Sequence, residues 1–185
     1  YSDPEADIWD DEYWVFPTAS RPFEEQVYMD AFSSKDLVNW TKHERIVDTT
    51  EVKWIWQAMW SPAVIEKDGY YYLYFKEDLT QKIAYVKSKN LTGPYNTDYT
   101  ICSLNWWGVE GSTMYRINGT DAWMMIMDEY SEGSFFAQMT RDFENFRQVQ
   151  RSTYSVNHLK PRHGSVVSVS EEEYFALVDA YGVQE

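Results

Sequence analysis

The stretch from Trp60 to Tyr95, W-S-P-A-V-I-E-K-D-G-Y-Y-Y-L-Y-F-K-E-D-L-T-Q-K-I-A-Y-V-K-S-K-N-L-T-G-P-Y, has the pattern of one small antiparallel sheet. An apolar strand at 63–65 meets a Lys-Asp-Gly turn, and a tyrosine-rich strand at 70–75 leaves it with the two-residue period of a β-hairpin. A third strand follows at 82–86, and the polar turn after it ends in Tyr95. The pattern predicts a meander of short strands closed by an aromatic side chain.

The same unit recurs on both sides of this stretch. The strand start Ser61-Pro62 aligns with Asp3-Pro4 and with Glu110-Gly111, at intervals of about 50 residues. The closing turns align as well: S-K-D-L-V-N-W at 34–40, S-K-N-L-T-G-P-Y at 88–95 and T-R-D-F-E-N-F at 140–146. A repeat of this length with three or four short strands is typical of a propeller blade. We therefore predict an all-β fold, a β-propeller of four-stranded antiparallel blades, with about three and a half repeats visible.

Composition narrows the classes of function. The 185 residues suit one domain over 1–185, since no Gly/Ser/Pro-rich linker divides them, and the single Cys102 is expected in the core. A net charge of −14 argues against nucleic acid and an anionic membrane as partners. Three N-glycosylation sequons, at Asn39, Asn90 and Asn118, lead us to expect an extracellular or periplasmic protein from which any signal peptide has been removed.

Two carboxylates stand at aligned strand starts. Pro4 restrains Asp3 to an extended conformation at the start of an innermost strand, and Glu110 stands at the corresponding point of the third repeat. Equivalent positions of neighbouring blades converge on the propeller axis, so both acids should face one pocket. Paired carboxylates beside aromatic side chains are typical of glycoside hydrolysis. The alternative, in which Asp3 only accepts hydrogen bonds within a turn, stays open.

The last part of the chain continues the pattern. Gly164-Ser165 resembles Gly111-Ser112, so a fourth inner strand is predicted there, with His163 at the level of the two acids. A short helix is predicted from Glu171 to Tyr181, with Ser170 as its N-cap and Gly182 as its stop.

With these residues in place, the chain resembles glycoside hydrolase family 43. The resemblance rests on Y-S-D-P-E at 1–5, F-S-S-K-D-L-V-N-W at 32–40, M-W-S-P-A-V-I-E-K-D-G at 59–69, V-E-G at 109–111 and P-R-H-G-S at 161–165. It implies a five-bladed β-propeller that cleaves arabinose- and xylose-containing polysaccharides with inversion. The partner it implies is a plant cell-wall polysaccharide or oligosaccharide.

The resemblance also implies a role for individual residues. Asp3 matches the general base that activates water, and Glu110 matches the general acid that protonates the leaving oxygen. His163 matches a histidine that contacts a central water or metal ion, and a hydrogen-bonded histidine without a metal is the open alternative. No cofactor is required, and calcium or another ion is expected in the central channel.

The surroundings of the two acids give further expectations. Trp106, Trp107 and Val109 flank Glu110, so desolvation should raise its pKa while Asp3 stays ionised. Trp60, Trp107 and Arg162 are assigned to substrate binding, with packing in the core as the alternative for Trp60.

The sequence departs from the family pattern in two respects. The family uses a third carboxylate that tunes the pKa of the acid, and Ser61 stands at the equivalent position here. The family also has five blades, so either a segment is missing or the propeller is open and self-associates. Three functions remain: an arabinofuranosidase, xylosidase or arabinanase, a catalytically impaired propeller that binds sugars, and an interaction scaffold.

Overall fold

Strands arranged in three antiparallel sheets make up most of the computed structural model, which describes residues 1–52, 58–77, 80–105, 107–156 and 162–182. The first sheet holds β1 (Ser2–Trp9), β2 (Glu12–Thr18), β3 (Tyr28–Ser34) and β4 (Thr41–Asp48). The second holds β5 (Trp60–Lys67), β6 (Tyr70–Glu77), β7 (Lys82–Ser88) and β8 (Thr100–Ile101). The third holds β9 (Glu110–Arg116), β10 (Trp123–Glu129), β11 (Ser134–Thr140) and β12 (Phe146–Gln148). In each sheet the strands pair in chain order, so the predicted four-stranded antiparallel blades are confirmed.

Tight turns explain the meander within each sheet. Asp68 and Gly69 both have positive φ (52° and 74°) between β5 and β6, and Asp10 and Asp11 (51° and 59°) do the same between β1 and β2. Two successive residues with positive φ match the right-handed twist of the strands that they join. Aspartate and glycine tolerate this backbone conformation, and therefore the hairpins form at these positions.

The core lies between the sheets. One cluster joins residues of the first and second sheets, including Phe16, Met29 and Phe75, and another joins the second and third sheets, including Met125 and Phe143. The second sheet is therefore covered on both faces. The strands that begin the sheets are neighbours, since β5 contacts both β1 and β9. This stacking makes the three sheets consecutive blades of a partial β-propeller and brings the strand starts together.

The closing turns differ in what they bury. Tyr95 is 5% exposed and completes the first core cluster, as predicted, but Trp40 is 42% exposed. In the third repeat the buried side chain is Phe143, which packs edge-on against Tyr72 and Trp123. Cys102 is buried, in agreement with its predicted place in the core.

The last described segment confirms one prediction and corrects another. Helix α1 (Glu171–Tyr181) has Ser170 as its N-cap, in a capping box with Glu173, and ends at Gly182 as predicted. The fourth inner strand is not formed, because residues 164–169 pair with no strand among the described residues. None of the helices in the described residues has the length and apolar composition needed to cross a bilayer.

Candidate active site

The first strand of each sheet starts with the same irregularity. Its pairing with the second strand shifts after Ser2 in β1, after Trp60 in β5 and after Glu110 in β9. The next residue has a left-handed backbone in all three sheets: Asp3 (φ 46°), Ser61 (φ 48°) and Gly111 (φ 53°). The extended conformation predicted for Asp3 from Pro4 is therefore wrong. Such bulges redirect side chains at the end of a ladder. Ser2, Trp60 and Glu110 are thus equivalent positions, and Asp3, Ser61 and Gly111 are a second equivalent set.

This register corrects the alignment of the two acids. Asp3 and Ser61 are equivalent, as predicted, but Glu110 stands one position earlier, and the equivalent of Asp3 in the third sheet is Gly111. His163 shares the left-handed backbone of Asp3, with φ 55°. A Cβ atom on Gly111 would lie 2.6 Å from the imidazole ring of His163, so glycine leaves the space that the ring occupies. Asp3 and Glu110 still face one cavity, as the convergence of the strand starts requires.

His163 connects the two carboxylates. Its Nδ1 lies 3.2 Å from Oδ1 of Asp3, and its Nε2 lies 3.2 Å from Oε1 of Glu110. The hydrogen bond with Glu110 is the main cause of a raised pKa for His163. Asp3 and Glu110 come from different sheets and are held on opposite sides of one imidazole ring. The predicted grouping of these three residues is therefore present in the structure.

The charge state of Glu110 differs from the expectation. Its pKa is lowered, first because of the hydrogen bond with His163, and also because of the positive charges of Lys76 and Arg162, which outweigh the effect of burial. The Arg162 guanidinium donates to Oε1 at 2.6 Å, and Nζ of Lys76 lies 3.7 Å from Oε2. The prediction that desolvation raises this pKa is therefore wrong for the ligand-free site. Trp106, on which it partly relied, lies outside the described residues.

Two residues of this site were missed in the sequence. Lys76 and Asp128 are the cross-strand partners of Trp60 and Glu110, at the ends of β6 and β10. Asp128 is 1% exposed, pairs with Arg162 and places Oδ2 at 3.7 Å from Nε2 of His163. Each follows an apolar run, L-Y-F before Lys76 and M-I-M before Asp128. A charged residue that ends the second strand of a blade is the signal that could have identified them.

The acids line a cavity of about 460 Å³, a size that suits a small ligand. Its walls are formed by Ser2, Asp3, Thr18, Gln26, Trp60, Ser61, Glu110, Arg162 and His163. The indole of Trp60 is held in place because its Nε1 donates to Oε1 of Gln26, and Phe23 packs against it edge-on at 5.7 Å. Trp60 and Arg162, both predicted to bind substrate, therefore border the same space as the acids.

Of Trp107 and Ser61, only Ser61 lies where the sequence predicts it. Trp107 is 53% exposed and does not line the cavity of the acids, so the structure does not support its predicted contact with substrate. Ser61 is 5% exposed and lines the cavity, with its backbone N–H donating to Oγ1 of Thr18 at 2.7 Å. Its equivalence to a third acid stays a prediction, but Asp128 already supplies a buried carboxylate beside Glu110.

A metal ion fits poorly among these side chains. The carboxylates of Glu110 and Asp128 and the imidazole of His163 come within 4.8 Å of one another, a spacing that three ligands of one ion can have. However, Arg162 already binds both carboxylates, and both ring nitrogens of His163 face carboxylate oxygens. Direct coordination by His163 would require breaking these contacts. The ion expected in the central channel stays a prediction.

A narrower cavity of about 160 Å³ adjoins the first along the inner strands. Glu5 lines it and accepts a hydrogen bond from Oγ of Ser165 at 2.8 Å. Burial raises the pKa of Glu5 to about 7. The hydroxyl of Ser112, which lines the same cavity, is buried and has no hydrogen-bond partner among the described residues. This second cavity therefore holds a carboxyl group that titrates near neutrality.

Comparison with known proteins places the chain among glycosidases. A beta-D-galactofuranosidase of Aspergillus niger is 38% identical over 107 residues, which is 51% of this chain and 32% of that protein. A family-43 enzyme of Xanthomonas citri, solved with xylotriose, aligns with a TM-score of 0.66 and 12% identity over 80% of this chain and 55% of its own. An endo-arabinase of Bacteroides thetaiotaomicron aligns with a TM-score of 0.62 and 16% identity over 79% of this chain and 53% of its own.

These relatives are longer than the chain, which spans about a third of the fungal galactofuranosidase and about half of the two solved structures. At their low identities the solved structures show the propeller fold alone. The family model described as "Probable glycosyl hydrolase domain", of the group related to family 43, matches residues 60–175. That range includes Glu110, Asp128 and His163, three of the charged residues that meet in the cavity. The chain therefore belongs to this family of glycosyl hydrolase domains related to family 43.

Proposed function

We propose that the chain carries the catalytic centre of an inverting glycoside hydrolase, with Asp3 as general base and Glu110 as general acid. The observation that carries the proposal is the placement of these two carboxylates, from different sheets, on opposite sides of His163 in one cavity. Inversion needs a gap of roughly 6.5–9.5 Å between the two carboxyl groups, which leaves room for a water molecule. An imidazole ring with Glu110 hydrogen-bonded to its Nε2 and Asp3 3.2 Å from its Nδ1 supports such a gap.

Each acid has a defined task in this proposal. Asp3, which is 39% exposed at its side chain, would accept a proton from water as the water attacks the anomeric carbon. Glu110 would donate its proton to the leaving oxygen on the other side of the sugar. His163 lies between the two carboxylates, hydrogen-bonded to Glu110 through Nε2 and with Nδ1 3.2 Å from Asp3, and so separates them.

The charge balance of the site supports a neutral substrate. Three carboxylates, those of Asp3, Glu110 and Asp128, face Lys76, Arg162 and His163, and the hydrogen bond with Glu110 raises the pKa of His163. Because these charges pair with one another, the described part of the cavity leaves no unmatched cation to attract an acidic sugar. We therefore infer a neutral substrate, with arabinose or xylose units of a plant polysaccharide or with galactofuranose units, in line with the names of the relatives.

A second candidate function follows from the lowered pKa of Glu110. A general acid has to be protonated before it can donate, and three cationic neighbours favour the ionised form in the ligand-free site. If ligand binding does not restore the proton, the cavity binds sugars without cleaving them. The impaired, sugar-binding relative is therefore the alternative, whereas a scaffold without a ligand has no observation in its favour.

The test uses the 4-nitrophenyl glycosides of α-L-arabinofuranose, β-D-xylopyranose and β-D-galactofuranose between about pH 4 and pH 8. We expect turnover that increases as the pH falls, because acid restores the proton on Glu110. Asp3→Asn and Glu110→Gln should each lower kcat by at least about 10²-fold. Asp7→Asn, at an exposed position of the same strand as Asp3, is the matched control and should keep wild-type activity.

The outcomes separate the two functions. Proton NMR of the first sugar released should show the inverted anomer if water attacks directly. Wild-type turnover in Asp3→Asn or Glu110→Gln would remove that residue from the mechanism. Saturable binding of the free sugars without turnover at any pH would establish the sugar-binding alternative instead.

A further inference from the structure

Lys76 is a buried lysine in direct reach of the proposed acid. It is 4% exposed at the end of β6, and its Nζ lies 3.7 Å from Oε2 of Glu110. The same ammonium group lies 4.5 Å from the ring centroid of Trp60 and 5.2 Å from that of Tyr130. Burial of an ammonium is unfavourable unless a carboxylate or aromatic faces compensate for the lost water. Lys76 has both kinds of compensation, and they come from residues of the candidate site.

We propose that Lys76 is a positioning residue that holds the indole of Trp60 and the carboxyl group of Glu110 in a fixed relation to each other. This inference rests on the proposed function, since it makes the stacking surface for the sugar and the proton donor parts of one unit. Lys76 itself touches neither the water nor the sugar in this scheme.

The register of the sheets supports this role. Thr18, Lys76 and Asp128 are equivalent, as each stands opposite the first residue of an inner strand. Only the lysine among them offers a cation, and it lies at the boundary where the second sheet meets the third. A side chain that served only to fill this buried position could be apolar, like its neighbours in β6. The buried charge is therefore better explained by the groups that it faces than by packing.

Lys76 and Gln26 restrain Trp60 in complementary ways. Gln26 accepts the indole N–H and so fixes the ring in its own plane, and its Nε2 is in turn held by the carbonyl of Arg21 at 2.8 Å. Lys76 lies against the face of the ring and fixes its tilt. An indole held in both ways offers a sugar a surface of fixed orientation, which lowers the entropic cost of binding.

The other charges around Glu110 do not duplicate this contact. Arg162 and His163 reach Oε1 from the segment that follows the third sheet, and Asp128 lies on β10, whereas Asp3 acts through His163 from β1. Lys76 alone among these approaches Oε2, and it alone is placed over Trp60. Loss of its charge should therefore affect Glu110 and Trp60 together.

The experiment compares Lys76→Met, which keeps an unbranched, slightly shorter side chain but removes its charge, with Lys76→Arg, which keeps a cation. We expect Lys76→Met to raise KM and to lower the kcat reached at the acidic end of the pH profile, each by about tenfold, as a desolvated cation–aromatic contact and an ion pair are lost. At higher pH the loss of this charge raises the pKa of Glu110 and partly offsets the fall in kcat. Lys76→Arg should recover part of both constants. Lys35→Met is the control, because the Lys35 side chain is 79% exposed, and it should leave both constants unchanged.

A double-mutant cycle with Trp60→Phe distinguishes positioning from packing. If Lys76 positions the indole, Lys76→Met should weaken sugar binding much less in the Trp60→Phe background than in the wild type. A folded Lys76→Met variant with wild-type KM and kcat, or with additive effects in the cycle, would overturn the proposal. If Lys76→Met does not fold, Lys76→Gln, which is also neutral, takes its place, and wild-type KM and kcat in a folded Lys76→Gln variant would equally overturn the proposal.

The proposed function can fail separately. If the wild-type protein binds sugars without turnover, the proposal that it is a hydrolase is wrong. The double-mutant cycle of Lys76 and Trp60 can still be measured by titration calorimetry with L-arabinose, D-xylose and D-galactose. Coupling between Lys76 and Trp60 in binding would then support the positioning role at a sugar-binding site. A wild type with neither turnover nor sugar binding would overturn both proposals.

Discussion

Replacement of Glu5 by glutamine should make the protein more stable at alkaline pH relative to the wild type. Glu5 lies on β1 at the edge of the narrower cavity, where burial raises its pKa from 4.5 to about 7, a change that Asp7 supports and the hydrogen bond from Ser165 opposes. A carboxyl group whose pKa is higher in the folded state than in the unfolded state favours folding while it is protonated. That contribution is complete below the unfolded pKa and is lost as the pH rises through about 7.

The magnitude follows from the size of the shift. One pKa unit corresponds to 1.36 kcal/mol, so the difference between the two pKa values is worth about 3 kcal/mol in the free energy of unfolding. Solvent in the partly open cavity screens the charge, and we therefore expect about 1–3 kcal/mol. Glutamine resembles the protonated carboxyl group in shape and does not titrate. The stability of Glu5→Gln relative to the wild type should thus rise by this amount between about pH 4.5 and pH 8.

Urea unfolding followed by tryptophan fluorescence measures this difference at both pH values. Glu66→Gln, at an exposed position of β5, is the matched control and should show no comparable change with pH. An equal stability difference between Glu5→Gln and the wild type at both pH values would refute the argument. If the stability of Glu5→Gln relative to the wild type falls as the pH rises, even the predicted direction of the effect is wrong.

Three further substitutions test the cavity of the acids. Trp60→Ala should weaken sugar binding by about 1–2 kcal/mol if the indole stacks on the ligand, and unchanged binding in calorimetry would assign Trp60 to packing alone. Gly111→Ala should reduce kcat by more than about tenfold, because a Cβ atom would displace the imidazole of His163 and strain a left-handed residue, and wild-type kcat would show that the ring can shift. Asp128→Asn should move the alkaline limit of the pH–rate profile to lower pH, because a neighbouring negative charge raises the pKa of the proposed acid. An unmoved limit in Asp128→Asn would leave position 61 as the candidate site of the third acid, and Ser61→Asp would test it.

Local patterns in the sequence determined the strands, the turns and the helix. The alternation of side chains around Lys-Asp-Gly predicts β5 and β6, and Ser170 followed by Glu173 predicts the start of α1, because hairpins and helix caps depend on residues close in the chain. The repeat of about 50 residues then predicts the blades and the meeting of Asp3 with Glu110. These inferences succeeded because each unit repeats the same local physics.

The tertiary structure alone decided the register and the charge state of the site. The cross-strand pairs make Glu110 equivalent to Ser2 and Trp60, one position before the equivalent of Asp3, and no local pattern reveals this register. The pKa of Glu110 depends on Lys76, Arg162 and His163, which lie 34 or more positions away in the chain and become its neighbours only when the sheets stack. The pKa of Glu110 depends on how deeply it is buried and on how near the cations lie. These distances follow from the tertiary structure and cannot be obtained from the order of residues in the chain.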